Sequence, residues 1–402
     1  MVIFYIIILL FLFSQFSLVF NEKIVKTEYV SPYSHFSLPI TFKAYDRFTY
    51  FKYINLEKDY SLFYNTPVNI DDIKNSQVIS INDIDVPIQL IESEASIANL
   101  NFTFMFLNIN QMKYYTNANE AIALAYKFSD NKFGFLYQLK EKEIIDNFIF
   151  GFEPEGREKG NLYLGGIPNE IIEHKSKAYC KIIKTNSFWS CSLDSVFFKQ
   201  GREKIVYENP NAYVQFQPAI GGILVPKSFF KFLETKVFFY FLNSGYCRIG
   251  ENEKRRIFVC IREHIQQLPD INLVINGYVF PIKTSELYDL NQRRIRNSPM
   301  DSILFIENIY EENIFQLGGL FLSKYISKFD YNADDIIFYT NDIVEKIIKY
   351  TPFSRIKRKI KNCFISLFIV SIVGSTLIVY SSIAKRETLN MVKEKKFYIE
   401  LK

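Results

Sequence analysis

The stretch Phe216-Gln-Pro-Ala-Ile-Gly-Gly-Ile-Leu-Val-Pro226 leads directly into Lys227-Ser-Phe-Phe-Lys-Phe-Leu233. Apolar residues on either side of a Pro-Ala-Ile-Gly-Gly centre predict a buried strand, a small-residue turn and a second apolar run. The proline closing that run, with apolar positions at 229, 230 and 233, predicts a short amphipathic helix from there.

Around this stretch lie 402 residues, 49% hydrophobic and 17% aromatic, enough to bury two cores of ordinary domain size. Forty Phe and 27 Tyr against only 15 Gly and 13 Pro suit β-rich packing and exclude a low-complexity chain. The net charge of +5 gathers towards the C-terminus, so the body presents no basic face for nucleic acid. His35, His174 and His264 are isolated and no Cys/His spacing occurs, so neither a metal nor a cofactor is expected.

Two apolar segments indicate a compartment. Residues 1–20 read as a secretory signal, with an uncleaved signal anchor as the competing reading, because no Lys or Arg precedes the apolar run. Residues 363–384 carry no charge over 22 positions, enough to cross a bilayer, and are flanked by Arg355, Lys357, Arg358, Lys359 and Lys361 before and Lys385 and Arg386 after. The expected organisation is a single-pass membrane protein of the secretory pathway or cell surface. Its body (21–340) would be lumenal or extracellular, followed by a stalk at 341–361, a transmembrane helix at 362–384 and a cytoplasmic tail at 385–402. The charge-rich tail argues against a lipid-anchor signal.

Cys363 falls in the span, leaving Cys180, Cys191, Cys247 and Cys260 in the body. An even number in a secreted body favours disulfides, and short loops favour Cys180–Cys191 and Cys247–Cys260. Asn101-Phe-Thr103 is a glycosylation sequon. Runs at 40–43, 48–54, 78–81, 101–107 and 148–152 read as strands, 135–145 as a helix, 227–235 as a second helix, and 237–290 as further strands. Residues 341–361 read as a helical stalk.

From about 119 to 340 the motifs resemble the pepsin-like aspartic protease family. Phe135-Leu-Tyr-Gln-Leu-Lys-Glu-Lys142 with Ile144-Ile-Asp146 is similar to the helix before its interlobe strand, and Gly160-Asn-Leu-Tyr-Leu-Gly-Gly-Ile167 to its Gly-x-Leu-x-Leu-Gly-Gly hairpin. Trp189 with Leu193 and Val196 resembles a third block, and Leu268-Pro-Asp-Ile271 with Leu273–Gly277, Phe280 and Tyr288 a fourth. Phe315-Gln-Leu-Gly-Gly-Leu-Phe-Leu-Ser-Lys-Tyr325, Phe329-Asp330 and Ile336-Ile-Phe338 resemble its closing block, and Cys247 and Cys260 stand where its C-terminal-lobe disulfide does. The resemblance implies an all-β, bilobal fold with short helices and a peptide cleft, divided here into a diverged N-terminal lobe (21–147) and a C-terminal lobe (148–340).

The family's chemistry needs one carboxylate per lobe, the two sharing a proton so that one activates water while the other protonates the substrate carbonyl. Counting back from Pro226 places the second-lobe acid at Gln217, followed by Pro218 and Ala219. In the first lobe, anchoring on Leu62-Phe63 places it at Leu56, whereas using Asn65-Thr-Pro67 as the turn places it near Ser76. Asp-Thr-Gly and Asp-Ser-Gly occur nowhere, and an amide at 217 cannot ionise or act as a base. The leading expectation is therefore a membrane-anchored, inactive homologue that binds a peptide or protein through the cleft. The alternatives are an active endopeptidase using displaced acids such as Asp71 or Asp72, and a structural surface protein.

Overall fold

The structure is a computed structural model describing residues 23–31, 36–42, 49–55, 62–64, 73–81, 84–97, 100–109, 121–124, 134–184, 188–200, 203–252, 255–287, 300–308, 312–342, 345–346, 380–383 and 385–386. The expected signal (1–20), Leu56, Asp71, Asp72, His35, Tyr288 and Cys363 lie outside the described residues. The chain divides into two compact units, Met1–Ile347 and Ile348–Lys402.

In the first unit the chain runs β1 (Val25–Val30), β2 (Ser37–Phe42), β3 (Thr49–Asn55), β4 (Leu62–Tyr64), β5 (Ile73–Ile81), β6 (Ile84–Ile97), β7 (Leu100–Ile109) and β8 (Ala121–Ala123). Helix α1 (Phe135–Glu141) leads to β9 (Ile149–Pro154), β10 (Lys159–Leu164), α2 (Asn169–Ile172) and β11 (Ser176–Lys181). Next come β12 (Ser190–Gln200), β13 (Glu203–Tyr207), β14 (Tyr213–Phe216), β15 (Ile223–Pro226), α3 (Lys227–Phe232) and α4 (Phe239–Asn243). Then follow β16 (Cys247–Asn252), β17 (Arg255–Ile261), α5 (Arg262–Ile265), β18 (Asp270–Ile275), β19 (Tyr278–Ile282) and β20 (Met300–Asn308). Finally come β21 (Ile314–Leu317), α6 (Gly319–Leu322), β22 (Ile326–Asp330) and β23 (Asp335–Thr340).

These strands form two sheets. One holds β1–β11 with β22 and β23, in the order β11-β23-β22-β9-β10-β1-β2-β3-β8-β4-β7-β6-β5. The other runs β16-β17-β20-β15-β21-β14-β12-β18-β19, with β13 paired to β12. The expected lobe boundary at 147/148 is therefore not where the sheets divide. Strands β9–β11, β22 and β23 hydrogen-bond into the sheet of the N-terminal strands, and the second sheet begins with β12. Local patterning explains the faces: β11 buries Ala178 and Cys180 and exposes Lys177, Tyr179 and Lys181, the alternation of a half-covered strand. In β15 all four residues are buried, as in a central strand covered on both faces.

Both expected disulfides are formed: Cys180–Cys191, with Cα atoms 5.9 Å apart, and Cys247–Cys260, at 4.0 Å between the directly opposed residues of β16 and β17. Helix α1 buries Phe135, Leu136, Gln138 and Leu139. It is fastened to β7 by the Gln138 amide, which accepts from the Met105 N–H (2.7 Å) and donates to the Met105 carbonyl (2.9 Å).

Three expectations need correction. The first helix ends at Glu141 rather than 145, because Glu143 takes a left-handed φ of 54° that no helix continues through. After α3 the chain does not return to strand at 237. It passes through a π-helical turn, Leu233–Val237, into α4. The expected helical stalk does not begin at the end of β23, since Lys346 bridges to Tyr278 and the Glu345 carbonyl accepts from Val279 N–H at 3.0 Å, along the edge of β19.

In the second unit residues 380–383 and 385–386 are helical, and Tyr380 and Ile383 are exposed. Among the described residues no helix is long and apolar enough to cross a membrane. The run expected to span, 362–384, lies outside them except for 380–383.

Candidate functional site

The strand connections place the candidate site. In the second sheet β14 pairs parallel with β21, while β15 pairs antiparallel with β21 and parallel with β20. The first sheet repeats this arrangement: β3 is parallel to β8, while β4 is antiparallel to β8 and parallel to β7. Each half thus contains two strands wrapped around a third, and the connections between the first two, 56–61 (outside the described residues) and 217–222, are equal in length. Position 217 follows directly on β14, as position 56 follows in sequence on β3. Ser76, the alternative first-half position, is inside β5 and opposite Gln89, where the chain does not turn.

The second turn is described in full. Gln217 is 2% exposed, its N–H donates to the Leu317 carbonyl at 3.0 Å, and its own carbonyl accepts from Ile220 N–H at 3.0 Å. Below it, Phe216 N–H donates to the Trp189 carbonyl at 3.1 Å. Above it, Phe36, ahead of β2, donates its N–H to the Pro218 carbonyl at 2.9 Å, so the first strands reach across to this turn. The carbonyls of Ile220, Gly221 and Gly222 face the start of α6. Gly318 N–H donates to Gly222 O (3.0 Å), Gly319 N–H to Ile220 O (2.7 Å) and Leu320 N–H to Gly221 O (3.3 Å).

That cradle requires glycine at 318, where a Cβ would fall on the carbonyl oxygens of Ile220 and Gly222. Gly318→Ala is expected to push the turn away from α6 and to cost about 2–3 kcal/mol, as forced backbone shifts in a packed core do. Urea unfolding of the purified variant reads it, and unchanged stability would remove the cradle from the account.

Amides fill the floor of this turn. Gln215 and Gln316 stand opposite each other in β14 and β21, with the Gln316 amide donating to the Gln215 side-chain oxygen at 3.2 Å. The buried carboxylates of this half are committed to guanidinium groups. Asp301 is held by Arg262 at 2.9 and 3.0 Å, and Glu307 lies 3.6 Å from Arg256. Arg256 also holds Glu234 at 3.0 Å. Burial pushes the Glu234 carboxyl up, but Arg256 and Lys231 together outweigh it and leave it below the ordinary range. The Asp194 carboxylate accepts from Gly277 N–H at 2.6 Å.

Among the described residues no three His, Cys, Asp or Glu side chains gather as metal ligands would. A surface hollow of about 580 Å³, lined by Tyr207, Asn209, Lys227 and Ser228 among others, includes none of 217–222. Asn101 is exposed at the start of β7, opposite Ser96.

The model of the eukaryotic aspartyl protease family matches residues 41–340. The chain belongs to that family. No curated protein matches it. Gln217 stands at the start of the 217–222 turn, and Leu56, the first residue after β3 in sequence, lies outside the described residues. Sequence reasoning reached Gln217 by counting from Pro226 and found the Leu317-Gly-Gly motif. It missed the Phe36–Pro218 contact, for which no local pattern exists, since the two residues meet only through the sheet.

Proposed function

We propose that this aspartyl protease homologue is catalytically silent. It binds an extended peptide or protein segment between its lobes and is held to a membrane by 362–384, with its body on the lumenal or outer side. The observation that carries the reading is the buried amide of Gln217 where the mechanism needs a carboxylate. A neutral amide neither shares a proton nor activates water. Leu56 at the equivalent position extends the same argument to the first lobe. The fold does not depend on the acids, because the turn is held by backbone hydrogen bonds to Leu317 and the start of α6. An intact interlobe floor without acid retains the shape to receive a strand-like segment, with affinity from main-chain pairing. The charge-free 363–384 run between basic flanks supports the anchor.

Ile220, half-buried at the tip of the turn, supplies the test. Full-length protein is presented with a library of extended peptides, and the tightest binder is titrated against Ile220→Arg. The variant is expected to bind about tenfold more weakly or worse, a change of ~1.4 kcal/mol. Equal affinity, or no peptide bound at all, would favour a structural role over cleft binding.

A further inference from the structure

The β22–β23 hairpin closes through Tyr331–Asp334, and its last cross-strand pair sets two carboxylates side by side, Asp330 opposite Asp335. On the other flank of β23, Asp335 is in register with Lys181 of β11. The charges facing Asp335 are thus Asp330 and Lys328 from β22, Lys181 from β11, and Asp334 from the turn.

The cations are all engaged elsewhere. Asp330 takes Lys328 on one oxygen at 3.0 Å and the N–H groups of Asn332 and Ala333 on the other, both at 3.0 Å. Asp334 is paired with Lys184, and the Lys181 ammonium donates to the Ala333 carbonyl at 3.0 Å. Asp335 is left with a buried Oδ1 that has no hydrogen-bond partner. Burial, and then the neighbouring Asp330 charge, hold its carboxyl above the ordinary range, against the smaller pull of Lys328 and Lys181.

A bare carboxylate oxygen away from water is costly, and like charges directly opposed on neighbouring strands repel. A protonated carboxyl avoids both penalties, because its O–H can be donated to the Asp330 carboxylate. We propose that Asp335 and Asp330 hold one proton between them, making this hairpin a proton-sensing lock that tightens as its surroundings acidify. Its placement gives the lock reach. Ile182 N–H donates to the Asp334 carbonyl at 3.2 Å, two residues beyond the Cys180–Cys191 disulfide. The Tyr331 ring packs edge-on against Trp189, with centroids 4.6 Å apart, where the second sheet begins. The inference stands apart from the silent-site reading, since neither aspartate belongs to the 217 turn.

The folded chain binds the Asp335 proton more tightly than the unfolded chain does. The penalty is therefore present at neutral pH and is relieved as pH falls through the folded-state titration. Asp335→Asn keeps a donor facing Asp330 and removes the charge. In thermal unfolding of the full-length protein, the variant is expected to melt about 2 °C above the parent at pH 7.5 and to coincide with it near pH 4. Carbon-detected NMR titration of the aspartate carboxyls provides a reading that does not depend on melting. One carboxyl should titrate above the ordinary Asp range in the parent and be missing in Asp335→Asn. A melting difference of the same size at both pH values, or no such carboxyl in the parent, overturns the proposal.

Discussion

Replacing Trp189 by alanine is expected to destabilise the protein by about 3–5 kcal/mol, the range for removing a fully buried large aromatic. The indole is 0% exposed and stands edge-on to Phe150 (5.5 Å), Phe329 (5.1 Å) and Tyr331 (4.6 Å). Its N–H donates at 2.8 Å to the carbonyl of Leu124, just past β8, so the truncation also strips a buried carbonyl of its donor. The loss should extend into the site, because the Trp189 carbonyl holds Phe216 beside Gln217. Trp189→Phe, which fills much of the space but lacks the donor, should recover part of the loss. Urea midpoints for the three proteins check this, and an alanine variant within 1 kcal/mol of the parent would contradict the packing described (a threshold below the smallest cavity costs of ~2 kcal/mol).

The second large effect concerns the Arg262–Asp301 pair. Asp301 is 0% exposed and lies opposite Cys260 of the β16–β17 disulfide hairpin, while Arg262 at the start of α5 grips it with two hydrogen bonds. Arg262→Leu leaves a buried carboxylate without its counter-charge and is expected to cost about 3–5 kcal/mol. Adding Asp301→Leu removes the stranded charge, so the double variant should regain much of that loss. The double-mutant cycle in urea reads the coupling. A double variant less stable than Arg262→Leu alone would mean that the pair is held for packing rather than for charge balance.

How far the sequence discloses this molecule depends on which force decides each element. β15 and β18 are legible because continuous burial writes runs that are almost wholly apolar, β18 broken only by the buried Asn272, and bounded by Pro, Gly or Asp. The Gly-Gly after Leu317 is legible for a related reason, since close backbone approach leaves no space for a side chain. Helix α4 misleads because Phe238-Phe-Tyr-Phe-Leu242 has the composition of a strand. Its burial instead follows a helical period, with Phe238 and Phe241 inside and Phe239 and Tyr240 57% and 61% exposed. Propensity favours the strand there, and packing overrides it.

Charged pairings set by register are not legible, unlike the Cys247–Cys260 pair, which its short loop marks. Asp330 and Asp335 face one another only because four turn residues bring them round, and Arg262 reaches Asp301 only because β17 and β20, distant in sequence, are paired. The candidate site lies between these cases. Gln217 follows from counting back from Pro226, whereas no local pattern singles out Leu56 or Ser76; the strand order adds only that the connection after β3 matches 217–222 in length and that Ser76 lies within β5.

We propose that no acid dyad operates at the 217 turn. This is tested most directly by incubating purified full-length protein with a broad peptide mixture between about pH 3 and 7, a range that includes acid conditions where a carboxylate pair shares one proton, with and without pepstatin. Intact peptides throughout, from a protein shown to be folded, are predicted. Cleavage that pepstatin abolishes and that Gln217→Ala also removes would contradict it.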